Sequence, residues 1–144
     1  MGMRFGEFKV GQKFRTAART ITETDIVMFT GISGDINPLH TDETYAATTT
    51  HGTRIAHGAL TFAVTTGLVN QSQIILGTTI ALLGVEVKWP APVKAGDTIH
   101  VESEVIETRP TKNPGRGIIK MKLLVYNQND VVVSEQEWSL MIAA

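Results

Sequence analysis

Between Gly58 and Gln71 the chain reads GALTFAVTTGLVNQ, 14 consecutive residues with no charged side chain in a protein where 19% of residues are charged. Leu60, Phe62, Ala63, Val64, Leu68 and Val69 fall around most of a helical circumference. A helix that is apolar nearly all round has no side to turn toward water and is expected to be buried. It is too short to span a bilayer, which takes about 20 apolar residues, so other parts of the chain must cover it. The small residues Ala59, Ala63 and Gly67 let other elements approach closely, although a helical glycine costs about 1 kcal/mol relative to alanine.

The cover is written into the C-terminal half. After Gly77 the pattern changes to period two, with Val85, Val87 and Trp89 on one face and Glu86 and Lys88 on the other, until Pro90 and Pro92 end the run. A second strand is predicted over 97–108, where Ile99, Val101, Ser103 and Val105 alternate with Thr98, His100, Glu102 and Glu104. A third is predicted over 118–126 and a fourth over 131–142, separated by the turn-rich KNPGRG loop at 112–117 and the NQND turn at 127–130. Short connections make the strands antiparallel neighbours. One buried helix followed by a meander with an apolar face gives an α+β arrangement in which an antiparallel sheet wraps the helix.

Upstream, 8–21 predicts a short edge strand with mixed β-propensity. Thr22 followed by Asp25 is a capping-box variant opening a short helix that Gly31 is expected to stop. The next segment, GISGDINPLHTD from Gly31 to Asp42, predicts a constrained loop rather than a helix, because Gly34 opens the backbone and Pro38 fixes its own φ and extends Asn37. A short helix over about 42–47, capped by Thr41, should follow, and then a threonine-rich surface connector over 48–56.

With 144 residues, the chain fits a single domain spanning 1–144. A formal net charge of −1 gives no general attraction to nucleic acid or to an anionic membrane, so neither is an expected partner. No cysteines are present, which excludes disulfides and thiolate metal sites. The N-terminal MGMRFGEFKVGQKF has no apolar stretch of signal-peptide length, and a cytoplasmic location is the default expectation.

Asp35 and His40 are the candidate catalytic pair. An acid and an imidazole five residues apart on a restrained loop can converge on one water molecule, which is how a proton-transfer site is built. A metal held by Asp35, His40 and Asp42 is set aside, since the ligands are closely spaced and no HExxH-type helix is present; no cofactor is expected. Asn37 is read as shaping the loop through side-chain to backbone bonding before touching substrate. His57 reads as a hydrogen-bonded structural histidine, and His51 and His100 as surface residues. Trp89 and Trp138 should be core or subunit contacts, and Arg109, Lys112 and Arg116 a solvated basic loop.

Three segments together, GDINPLHTD, RIAHGAL at Arg54–Leu60 and VEVKWPAPVKAGDTI at Val85–Ile99, resemble the MaoC-like (R)-specific enoyl-CoA hydratases. The resemblance implies the hot-dog fold, a long central helix gripped by an antiparallel sheet. It also implies reversible addition of water to a trans-2-enoyl thioester, giving the (R)-3-hydroxyacyl thioester, with Asp35 and His40 at the positions of the catalytic acid and histidine. His40 is then assigned as acceptor of the water proton and Asp35 as the group orienting water, the exchanged roles staying open. Charge building on the thioester oxygen calls for a donor, and the backbone N–H of Gly58, at the positive end of the helix, is placed to supply it; glycine there should also let substrate approach. Thr66 stands where the family carries a hydroxyl near the acid and is a candidate substrate-side partner of Asp35, the alternative being a bond to its own preceding turn. The implied partners are an acyl thioester of coenzyme A or acyl carrier protein and a second copy in a homodimer or higher homo-oligomer. A hot-dog thioesterase and a non-catalytic acyl-thioester binding subunit are the competing functions.

Overall fold

The computed structural model describes residues 1–144. In chain order its elements are β1 (Lys13–Arg15), β2 (Arg19–Thr20), α1 (Glu23–Ser33), α2 (Pro38–Thr41), α3 (Glu43–Ala46), α4 (Gly58–Gln71), β3 (Thr79–Lys88), β4 (Thr98–Pro110), β5 (Arg116–Tyr126) and β6 (Val132–Ala143). The charge-free stretch forms α4 over the predicted residues. The inward positions of β4 to β6, among them Val101, Val105, Met121, Leu123 and Leu140, are buried with Leu60, Leu68 and Val69 of α4 in one apolar core. Burying each such side chain contributes about 1.5–3 kcal/mol. Polar groups also cross this seam: Gln136 Nε2 donates to Ser134 Oγ at 3.1 Å and Thr65 Oγ1 at 3.4 Å, and its Oε1 accepts from Trp138 Nε1 at 2.8 Å.

The strand order is β1-β4-β5-β6-β3, with β2 also pairing β4. The predicted edge strand is therefore two short pieces, both laid antiparallel along β4. The meander expectation holds for β4, β5 and β6 but not for β3, which pairs β6 at the far side of the sheet instead of its sequence neighbour β4. The Pro90–Pro92 segment carries the chain from that edge back to β4. Nor is the apolar pattern of β3 covered: Ile80, Leu82, Leu83 and Val85 are 50%, 43%, 49% and 39% exposed. Likewise α4 is not enclosed all round, because Ala59 and Ala63 face outward.

The N-terminal helix begins as predicted. Thr22 Oγ1 accepts from Asp25 N–H at 3.1 Å while Asp25 Oδ2 accepts from Thr22 N–H at 2.8 Å. Partial burial pushes the Asp25 carboxyl up, but the Thr22 bonds and Arg19 outweigh it and hold the group below its ordinary value. The helix does not stop at Gly31. It runs to Ser33 and ends at Gly34, whose φ of +73° is the left-handed cap that glycine adopts without a steric cost. The helix predicted over 42–47 is α3, and its cap is Asp42, whose carboxylate accepts from Tyr45 N–H, not Thr41. No helix is long and apolar enough to cross a membrane.

Candidate active site

Asp35 follows the glycine cap directly, and local bonds fix its carboxylate. Its N–H donates to Ser33 Oγ at 3.1 Å, and its Oδ1 accepts from Asn37 N–H at 3.2 Å, which leaves Oδ2 for other partners. Asn37 caps the following turn by accepting from Leu39 N–H at 3.0 Å. Pro38 then sits at the first helical position, where a missing N–H costs nothing, so His40 stands on the one-turn helix α2 and not on an open loop. Proline read as a breaker is here an initiator.

The pair is brought together. His40 Nε2 lies 3.9 Å from Asp35 Oδ2, with the histidine side chain 11% exposed and the carboxylate 51%. That gap is too long for a direct hydrogen bond and leaves both atoms facing the same small space. The other ring nitrogen, Nδ1, lies 2.7 Å from the carbonyl oxygen of Ile55, which can only accept. Neutral His40 is thus held as the Nδ1–H tautomer, with the lone pair of Nε2 directed to the Asp35 side. This is the arrangement a proton acceptor needs.

His57 joins them. Its ring is 2% exposed and stacks on His40 with centroids 3.9 Å apart, while Phe29 meets it edge-on at 5.0 Å. Its Nε2 donates to the carbonyl oxygen of Asp35 at 3.1 Å. Burial, offset in part by that carbonyl, holds its pKa below the ordinary histidine value, and the charge His40 can carry acts in the same direction as burial. Its Nδ1 is buried without a partner. The structural role read from the sequence understated this residue, since it bonds to one member of the pair and supports the ring of the other. A lone histidine before a glycine carries no signal of that; only the fold supplies it.

Asp35, His40 and His57 place their ligand atoms within 4.8 Å of one another. The two imidazoles are stacked at an interplanar angle of 27°. In-plane lone pairs on stacked rings run side by side instead of meeting at one point, so the set fits proton transfer better than chelation.

Gly58 follows His57 and opens α4, which has no side-chain cap. The N–H groups of a first helical turn lack intrahelical acceptors and carry the positive end of the dipole. The neighbour that a side chain at Gly58 would meet is Trp89. A Cβ would fall 2.7 Å from Trp89 Cε2, so the space belongs to the indole, whose Nε1 donates to the Gly58 carbonyl at 3.0 Å. Around it lies a groove of ≈ 470 Å³ lined by Ile55, Ala56, Gly58, Trp89, Pro92 and Val93, with further contributions from His51, Ala59, Thr61, Pro90 and Ala91. Trp89 is half exposed here, whereas Trp138 is in the core.

Other predicted residues are not drawn into the site. Thr66 makes no hydrogen bond to Asp35; its hydroxyl donates to the Ala63 carbonyl at 2.7 Å. His100 is not a surface residue, being buried and stacked on Tyr126 at 5.4 Å, with Nε2 3.1 Å from Glu102 Oε2. Lys112 and Arg116 lie at the β4–β5 hairpin, the far end of β4 from the segment that neighbours Gly58.

Residues 6–127 match the family model for the MaoC like domain. The chain is 39% identical over 113 residues to an (R)-specific enoyl-CoA hydratase of Rhodospirillum rubrum, covering 75% of this chain and 73% of that protein. Among solved structures it is similar to the MaoC-like dehydratase from Rhodospirillum rubrum, with a TM-score of 0.90 and 31% identity over 99% of this chain and 97% of that one. A Mycobacterium tuberculosis protein described as a double hot-dog fold superposes with a TM-score of 0.87 at 22% identity, covering 99% of this chain and 44% of that one, a likeness of fold. With its antiparallel sheet around α4, the chain belongs to the MaoC-like dehydratase domain family and has the hot-dog fold.

Proposed function

We propose that this chain is a hydro-lyase, an (R)-specific enoyl-CoA hydratase that adds water reversibly across the double bond of trans-2-enoyl thioesters. The observation that carries the reading is the fixed tautomer of His40, with its Nε2 lone pair 3.9 Å from Asp35 Oδ2. In the forward direction Asp35 orients a water molecule and His40 accepts its proton as the oxygen attacks C3. Electrons move to the thioester oxygen, where the Gly58 N–H stabilises the developing charge, and a proton returned by the Asp35–His40 pair reaches C2. Acid–base help of this kind contributes about 10²- to 10⁴-fold, and loss of an oxyanion donor typically costs about 3–4 kcal/mol of barrier. The groove beside Gly58 supplies apolar walls for the thioester end of the substrate.

The working assembly is proposed to be a homodimer. A long apolar edge strand such as β3 is a template for pairing with another chain, and its exposed Ile80, Leu82, Leu83 and Val85 support pairing with β3 of a second copy. Light scattering on the wild type and a Leu83→Lys variant tests this; a monomeric wild type overturns it.

The activity test mixes the protein with crotonyl thioesters of coenzyme A and of acyl carrier protein, and follows the enoyl absorbance. Loss of absorbance with formation of the (R)-3-hydroxy product is expected. Release of free thiol with the double bond intact would replace the reading with a thioesterase, and binding without turnover would replace it with a carrier-binding subunit.

A further inference from the structure

Residues 54 to 58 lace the site together one by one. Ile55 N–H donates to the Leu39 carbonyl at 3.2 Å, and its own carbonyl receives His40 Nδ1. Ala56 N–H donates to Val93, anchoring the segment to the chain that leads into β4. His57 bonds to Asp35 and supports His40, and Gly58 begins α4. Arg54, the first of the five, touches none of the reacting groups. Its Nε donates to Glu43 Oε2 and its Nη2 to Glu23 Oε1, each at 2.7 Å. Glu23 opens α1, the helix that ends at the cap before Asp35, and Glu43 opens α3, the helix that follows His40.

We infer that Arg54 is a positioning residue of this site: by joining Glu23 and Glu43 it holds both flanks of the Asp35–His40 segment at a fixed distance from Gly58. This rests on the reading of the site as a hydratase. Residues 34–38 are all exposed, so they have no apolar burial to hold them in place. Asp35 Oδ1 and Asn37 Oδ1 bond within the segment itself, which sets its shape but not its position relative to α4. The links that do set position run to residues 55 and 57 and, through both neighbouring helices, to Arg54. A planar guanidinium presents separate donors in a rigid fork, which lets one side chain bridge two carboxylates on different helices. Glu43 is held by a second bond from the Thr53 hydroxyl. Lys94, which lines the same surface hollow as Glu23, Glu43 and Arg54, is engaged elsewhere, donating to the His51 carbonyl at 2.9 Å. The side chains of Glu23 and Glu43 are 62% and 49% exposed, so the bridge adds little to global stability. Its effect falls on geometry, where a misplacement of about 1 Å can cost about 10²-fold in rate.

The test compares wild type, Arg54→Met, Arg54→Lys and the double variant Glu23→Gln/Glu43→Gln. Turnover is measured with an enoyl thioester, and amide hydrogen exchange is followed across 34–42. Arg54→Met and the double variant are expected to lose about 10- to 100-fold in kcat, with KM nearly unchanged and faster exchange confined to 34–42. Arg54→Lys should recover part of kcat, since an ammonium reaches one carboxylate at a time. The proposal is overturned by turnover within about twofold of wild type, or by a loss of kcat with unchanged exchange in that segment. If Arg54→Met fails to fold, the two glutamine substitutions, which preserve shape, decide the matter. A wild type inactive on every enoyl thioester sinks the hydratase reading alone, and the exchange comparison still decides whether Arg54 holds the loop.

Discussion

The sheet formed by β4, β5 and β6 and the segment carrying Asp35 and His40 are held by different forces. In the sheet, Val105, Met121, Leu123 and Val125 are wholly buried, and position follows from apolar packing. In the segment, residues 34–38 are exposed and position follows from hydrogen bonds to caps, carbonyls and one guanidinium. The first region therefore tolerates neither a change of volume nor an unpaired polar group. The second tolerates changes of volume but not of chemistry. Substitutions should separate the two: one kind lowers activity in a folded protein, the other lowers stability in an active one.

The largest separation is expected at the pair itself. Asp35→Asn and His40→Ala should each lower turnover by about 10²- to 10⁴-fold while far-UV circular dichroism stays that of the wild type; wild-type rates in either variant end the site assignment. The reverse case is Leu123→Ala, which removes a fully buried side chain and should cost about 2–5 kcal/mol in urea unfolding, with turnover per folded molecule retained. Gly58→Ala lies where the two regions meet. Its methyl would collide with the Trp89 indole, so a loss of about 1–3 kcal/mol should accompany a fall in kcat. An effect on neither would mean the indole moves freely.

The smallest effect concerns pH. His57 has a folded pKa depressed below 6.5, first by burial, so the unfolded chain binds the proton more readily. Its contribution to stability is fully present above the unfolded value and is lost as pH falls from about 6.5 toward the folded pKa. His57→Gln should flatten the urea midpoint across that window; an unchanged slope assigns the pH dependence to other groups.

Period-two alternation made β4, β5 and β6 legible because each has one buried face, and the apolar run made α4 legible to the residue. Sequence did not disclose that β3 crosses to the far edge, since its alternation is the same whichever neighbour it takes. The helix stop was misplaced because Gly31 and Gly34 offer the same signal, and only the backbone shows which takes the left-handed turn. Asp35 and His40 were legible as a pair from their spacing. The parts played by His57 and Arg54 were not, because both depend on contacts between elements distant in sequence.

The Gln136 contacts with Thr65, Ser134 and Trp138 bear on a question that α4 cannot answer from its own composition. A helix apolar nearly all round has little preference for its angle about its own axis, and one residue of slip would rotate it by about 100°. Oil alone would accept many such angles. A buried amide that must find a hydroxyl accepts few. The polar seam thus gives the helix a preferred angle at Thr65, about two turns downstream of Gly58, and the Trp89 bond to the Gly58 carbonyl holds the same setting at the helix start.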